Sequence, residues 1–205
     1  MEVFRKDRDY EAFEALLGET LTRLRMRLLA YCLMPNHWHL VLWPRGDGDL
    51  ARFMQRLTTT HVRRWHLHRH SVGHGHLYQG LYKSFPIQQD DHFLTVCRYV
   101  ERNALRGNLV KRAEDWPWSS LATWRMTQAE VEREQKPALA DWPVERPRQW
   151  LRRVNGRQSP AEEEALRRAV QRGRPFGGPT WEKQAATRLG LESTLRPRGR
   201  PRNRA

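Results

Sequence analysis

The chain has 205 residues, enough to bury a sizeable core without disulfides. Its 37 Lys and Arg against 23 Asp and Glu give a net charge of +14 and a sequence pI near 10.9, which points to a polyanionic partner. With 39% apolar residues and nine tryptophans it is too hydrophobic for a disordered basic arm, and two cysteines, Cys32 and Cys97, are too few for a disulfide scaffold or a four-cysteine zinc site.

Apolar residues at Tyr10, Phe13, Leu17, Leu21, Leu24 and Leu28 recur at steps of three and four and predict an amphipathic helix from Asp7 to about Leu29. Leu28 to Met34 reads as a strand, Pro35-Asn36 as a turn, and His37 to Trp43 as a second strand. Asp49 is placed to cap a helix whose inner stripe is Leu50, Met54, Leu57, His61 and Trp65. Its other side carries Arg52, Arg56, Arg63 and Arg64, which suits phosphate or simply water. A glycine-punctuated loop from Ser71 to Gly75 leads into an expected strand from Leu77 to Ile87. A helix then runs from Asp90 to about Arg106, closed by Gly107.

Beyond Met126 the composition shifts toward Arg, Glu, Gln and Pro, so a domain 1–126 is expected, followed by a helical extension over 127–195 and a disordered Arg-rich tail over 196–205. Helical stretches are predicted near 145–155, 160–171 and 179–190. Arg-Gly-Arg-Pro occurs at 172–175 and again at 198–201, where it resembles an AT-hook core, and Arg198, Arg200 and Arg202 join the candidate DNA contacts. No apolar run approaches the length of a leader or a membrane span, and a cytoplasmic location is expected.

In a strand, His37 and His39 emerge on one side while Trp38 points to the other, so the two imidazoles can share a divalent ion or be ordinary strand residues. A second pair, His74 and His76, sits in the glycine loop. On the helix after Asp90, Phe93, Cys97, Val100 and Ala104 form one face, while Tyr99 shares the other with His92, Thr95, Asn103 and Arg106. Tyr99 is either a boundary residue with a wet hydroxyl or a nucleophile whose neighbour one turn on, Asn103, completes a His-His-Asn metal site. Such a set suits Mg2+ or Mn2+ better than a closed zinc site.

The run Tyr31-Cys32-Leu33-Met34-Pro35-Asn36-His37-Trp38-His39-Leu40-Val41-Leu42 resembles the His-hydrophobic-His motif of single-tyrosine HUH transposases. Gly75-His76-Leu77-Tyr78-Gln79-Gly80, Lys83-Ser84-Phe85-Pro86, the run from Arg98 to Val110 and Trp116-Pro117-Trp118-Ser119-Ser120 resemble the REP-associated branch of that family, in the same order. The resemblance covers residues 1–124 closely. It implies an α+β fold, an antiparallel ferredoxin-like sheet with helices, and metal-dependent cleavage and rejoining of single-stranded DNA beside hairpins, with repetitive extragenic palindromes as suspected targets and nucleoid association as a corollary. It also implies that His37, His39 and Asn103 hold the Mg2+ or Mn2+ ion and that Tyr99 forms a 5′-phosphotyrosine link. The chain would act as a monomer or homodimer, with Arg52, Arg56, Arg63, Arg64, Lys83 and Arg106 among its DNA contacts.

Two departures stand out. Ala104 follows Asn103 where the family usually has proline, and the strand that relatives carry before the segment matching Val3-Phe4 is absent. The strand His37 to Trp43 is therefore expected to have an unpaired edge that an in-frame upstream extension would cover. The competing functions are a hairpin-binding protein without catalysis, a metal-dependent nuclease that uses water, and, less favoured without a P-loop, a replication initiator.

Overall fold

The computed structural model describes residues 2–70 and 75–196. His74, Arg198, Arg200, Arg202 and the second Arg-Gly-Arg-Pro lie outside the described residues. The fold is α+β and mostly helical, in two compact units: Met1–Leu81 with Cys97–Arg157, and Tyr82–Val96 with Gln158–Ala205. The composition change near residue 126 falls inside the first unit rather than between the two.

In the first unit, α1 (Asp7–Leu24) buries Tyr10, Phe13, Leu17 and Leu21 as its periodicity predicts. It stops short of Leu29 because Arg25 adopts a left-handed conformation (φ 49°) and its N–H turns back to Leu21 and Thr22 carbonyls. The chain then enters a hairpin of β1 (Arg27–Met34) and β2 (His37–Trp43), antiparallel, with Cys32 opposite His39 and Leu33 opposite Trp38. Trp38, Leu40 and Leu42 pack on a core that includes Phe13, Leu17, Phe53 and Leu57 from α1 and α2 (Asp49–His68). Alternation turns His37, His39 and Val41 to the opposite face. There α4 (Asn103–Arg106) lies against β1, while α5 (Ser120–Trp124) meets β1 from its outer edge, so β1 is covered on both faces and is buried along almost its whole length.

The outer edge of β1 is completed without a strand. Ala140 N–H donates to Leu28 O (2.8 Å), the Trp142 indole to Leu29 O (2.7 Å), Ser120 Oγ to Tyr31 O (3.2 Å) and the Trp116 indole to Leu33 O (2.8 Å). Leu33 N–H in turn donates to Trp118 O (2.9 Å). Among the described residues no strand joins the outer edge of β2. Val3 and Phe4 are not a strand. Their side chains are buried in the α1–α2 core, and both N–H groups donate to Pro35 O, at 2.7 and 2.9 Å.

Four expectations need correction. Leu77 to Ile87 is irregular rather than a strand, with one isolated bridge from Ile87 to Phe176, because Leu77 and Tyr78 are held by side-chain packing while Leu81 stands almost fully in solvent. Asp49 does not cap α2. Gly48 occupies the cap in a left-handed conformation, and Asp49 accepts instead from the N–H of Gly46 (2.8 Å) and Arg45 (3.2 Å). The helix expected over 90–106 is two segments, α3 (Asp91–Glu101) and α4, with Arg102 (φ −83°, ψ −6°) between them. Gly107 does not supply the left-handed turn, which Asn108 (φ 56°) makes. Its hydrogen admits the Met34 methyl, which a Cβ would meet at 3.0 Å.

The second unit contains the start of α3, then α8 (Pro160–Arg172) and α9 (Pro179–Leu189), after α6 (Gln128–Arg133) and α7 (Trp150–Asn155) in the first. Ser159 and Glu162 form a capping box before Pro160, and Gly173 and Gly190 end α8 and α9 in left-handed conformations. No helix among the described residues is long and apolar enough to cross a membrane.

Candidate active site

Period-two alternation on β2 brings the His37 and His39 rings together, centroids 4.9 Å apart and planes nearly perpendicular. The turn residue Asn36 fixes the first. Its Oδ1 accepts from His37 Nδ1 at 2.6 Å, which leaves Nε2 as the lone-pair nitrogen. His39 Nε2 is buried and has no hydrogen-bond partner. Burial, with Arg106 nearby, lowers the pKa of His37. Burial, then the neighbouring His37 and Arg106, pushes His39 down to about 3, so both rings are neutral near pH 7, the form that binds metal.

Tyr99, from the last turn of α3, faces this pair with its ring 5.8 Å from that of His39. Asn103 begins α4 one turn later and is buried. Arg106 ties the two together through one nitrogen: Nη2 donates to Tyr99 Oη at 3.1 Å and to Asn103 Oδ1 at 3.0 Å. The helix carrying Tyr99 is fixed from behind. Glu101, fully buried, accepts from Ser120 Oγ (2.8 Å) and the Trp150 indole (2.6 Å), and Arg98 donates to the carbonyls of Gly156 (3.0 Å) and Arg157 (2.6 Å).

The four residues singled out in sequence thus share one corner of the first unit. Among the described residues no group of three His, Cys, Asp or Glu could hold a metal ion. A cation here would rest on two imidazoles and an amide oxygen. The unpartnered His39 Nε2 fits such a ligand set, whereas Asn103 Oδ1 already accepts one bond from Arg106 and has only its second lone pair to offer. His76 is exposed in its loop.

On the other face of β2, Tyr78 Oη meets His61 Nδ1 at 2.5 Å and accepts from the Trp38 indole at 3.0 Å. Burial holds His61 down at about 4 and pushes Tyr78 well above the usual phenol range. Both thiols are buried and free, and Cys32 is pushed up to about 12 by burial.

Of the basic candidates, Arg52 pairs with Asp49 (2.7 Å) and Arg64 with Glu19 (2.9 Å), whereas Arg56, Arg63 and Lys83 are exposed. Sequence reasoning missed Asn36 as the clamp on His37, and although it put Arg106 on the Tyr99 face it gave that residue a role only as a DNA contact. Asn36 adjoins His37 in the chain, and Arg106 stands three residues after Asn103, the spacing of helical neighbours, so both signals were present.

Compared with known families, residues 1–103 match the family described as "Transposase IS200 like". No curated protein and no solved structure matches the chain.

Proposed function

The chain belongs to the IS200-like transposases, enzymes that cut DNA, and we propose that it cleaves and rejoins single-stranded DNA with Tyr99 as nucleophile and His37, His39 and Asn103 as the seat of a divalent cation. The observation that carries this reading is the placement of the Tyr99 ring beside a buried imidazole nitrogen that no group of the protein satisfies. Other buried side-chain nitrogens, such as Arg27 Nε and Arg69 Nε, are also unpaired, so it is the open imidazole nitrogen together with the facing tyrosine that supports the site.

Mg2+ or Mn2+ at the histidines would polarise the scissile phosphate and stabilise charge on its non-bridging oxygens. Asn36 holds His37 in the tautomer that presents Nε2, and Glu101, Trp150 and Arg98 hold the turn of helix from which Tyr99 projects. Tyr99 Oη forms a bond to phosphorus as the bond to the 3′-oxygen breaks. The phenolic proton passes to water, and the departing oxygen takes one from water. The 5′-phosphotyrosine link conserves the phosphodiester's energy, so attack by a 3′-hydroxyl reverses the step without a nucleotide cofactor.

Exposed Arg56 and Arg63 support phosphate contacts along a single strand. The motifs from Arg98 to Val110 and from Trp116 to Ser120 support hairpins of the extragenic-palindrome kind as targets. The test incubates the full chain with Mn2+ and a pool of hairpin-bearing single strands, followed by denaturing electrophoresis. A covalent protein–DNA adduct that Tyr99→Phe fails to form is expected, whereas cut DNA with no attached protein would replace this reading with a nuclease that uses water.

A further inference from the structure

The Arg106 side chain is exposed, yet one end of its guanidinium is committed to the site. Both hydrogen bonds, to Tyr99 Oη and Asn103 Oδ1, come from Nη2, and the guanidinium carbon lies 4.8 Å from the centre of the Tyr99 ring. Nε and Nη1 carry the other three N–H groups, and no hydrogen bond or ion pair of theirs is found among the described residues. Nor is a carboxylate paired with this cation among those residues, although Arg52, Arg64, Arg69, Arg112 and Arg174 all have one.

Its charge instead faces two imidazoles and lowers the pKa of each. An arginine held this way has a positive charge without an anion and N–H donors that its anchoring groups do not engage. Each two-pronged edge of a guanidinium includes Nη2, so with Nη2 engaged the remaining N–H groups each have a single charge-assisted bond to offer a non-bridging oxygen of a phosphodiester. The anchored end meanwhile sits on the oxygen that would attack.

We propose that Arg106 is a catalytic residue that donates a remaining N–H to a non-bridging oxygen of the scissile phosphodiester while its Nη2 holds the Tyr99 oxygen, so that one planar group sets nucleophile and phosphorus together. This rests on Tyr99 being the nucleophile. Arg106 keeps all its protons throughout the exchange of the phosphorus–oxygen bonds and stabilises charge on the non-bridging oxygens as it builds.

The test compares wild type, Arg106→Ala, Arg106→Lys and Tyr99→Phe on the same hairpin pool. Adduct formation is measured at saturating DNA with Mn2+, and binding by fluorescence anisotropy. Arg106→Ala is expected to lower the saturated adduct rate about 100-fold, the scale of losing a donor aimed at developing charge, with a far smaller rise in Kd. Added ethylguanidinium should restore part of the rate and ethylammonium none, and Arg106→Lys should stay slow because an ammonium cannot bridge both groups. An adduct rate equal to wild type would overturn the proposal. So would a loss confined to Kd, or a loss that tracks weakened Mn2+ binding and resists guanidinium, since Arg106 would then act as a general DNA contact or through Asn103.

A second readout is independent of cleavage. The Arg106 side-chain Nε–H signal in 15N NMR, assigned by its disappearance in Arg106→Lys, should shift when hairpin DNA is added without metal. If that shift occurs but wild type forms no adduct, the nucleophile reading fails and the phosphate contact stands. If wild type forms the adduct and the signal stays put, the phosphate contact fails and the nucleophile stands.

Discussion

Two imidazoles lie on opposite sides of β2, and both are held neutral by burial, yet they differ in one respect. His61 Nδ1 is met by Tyr78, which also takes the Trp38 indole, and its ring packs on Phe4 and Phe13. His39 Nε2 has nothing. Desolvation is common to the two sites, so it does not mark function. What separates them is satisfaction together with setting: Arg27 Nε and Arg69 Nε are also unpaired, but only the open His39 nitrogen lies beside a second imidazole and faces a tyrosine.

The largest expected effects come from exchanging the two roles. His39→Ala should reduce adduct formation by about 100-fold or more and weaken Mn2+ binding in calorimetry, with a smaller loss of stability than His61→Ala because packing is lost but no internal hydrogen bond is broken. His61→Ala should do the reverse. It opens a cavity beside Phe4 and Phe13 and strands the Tyr78 hydroxyl, costing about 2–4 kcal/mol in chemical denaturation, with Mn2+ affinity of the folded protein unchanged.

Trp150→Phe sharpens the same contrast from the rear of the site. It leaves one Glu101 oxygen buried and unpaired, which should cost about 1–3 kcal/mol and slow the adduct through a less fixed α3, whereas Glu101→Gln, which keeps an acceptor for the indole, should retain most of the rate. The pH dependence is a smaller effect. His61 has a folded pKa below its unfolded value, so its contribution is full above about 6.5 and is lost as pH falls through about 4. Wild type should therefore lose stability relative to His61→Gln across that window in thermal melts. Smallest of all, Arg56→Ala with Arg63→Ala should leave chemistry intact and flatten the salt dependence of DNA binding, by about one unit of log–log slope for each phosphate no longer neutralised.

Alternation made the shared face of His37 and His39 legible in the sequence, since strand geometry fixes which side chains emerge together. Helical spacing likewise joined Tyr99 to Asn103 and Arg106. The ends of α8 and α9 were readable because Pro160, Gly173, Pro179 and Gly190 mark them by backbone preference alone. Arg25, Asn108 and the break at Arg102 were not readable, because non-glycine residues there take their conformations from packing. Leu77 to Ile87 misled for the opposite reason. Its apolar content suggested a strand, but only Leu77 of its side chains is fully buried, and Leu81 faces water. The domain boundary near 126 was drawn from composition, whereas Lys136 pairs with buried Glu14 (2.9 Å) and Trp142 and Trp150 reach into the first unit from far along the chain.

That distant cover for β1 sets a timetable for biosynthesis. The Leu29 carbonyl waits 113 residues for the Trp142 indole and the Leu33 carbonyl 83 residues for Trp116. At ribosomal speeds the later of these arrives on the order of ten seconds after the hairpin. Throughout that interval β1 presents bare carbonyls along an apolar strand, the template on which chains join edge to edge. A nascent chain of this protein therefore exposes that edge until tryptophan reaches it, and a chain shortened at residue 126 keeps the Trp116 and Ser120 cover but leaves the Leu28 and Leu29 carbonyls open.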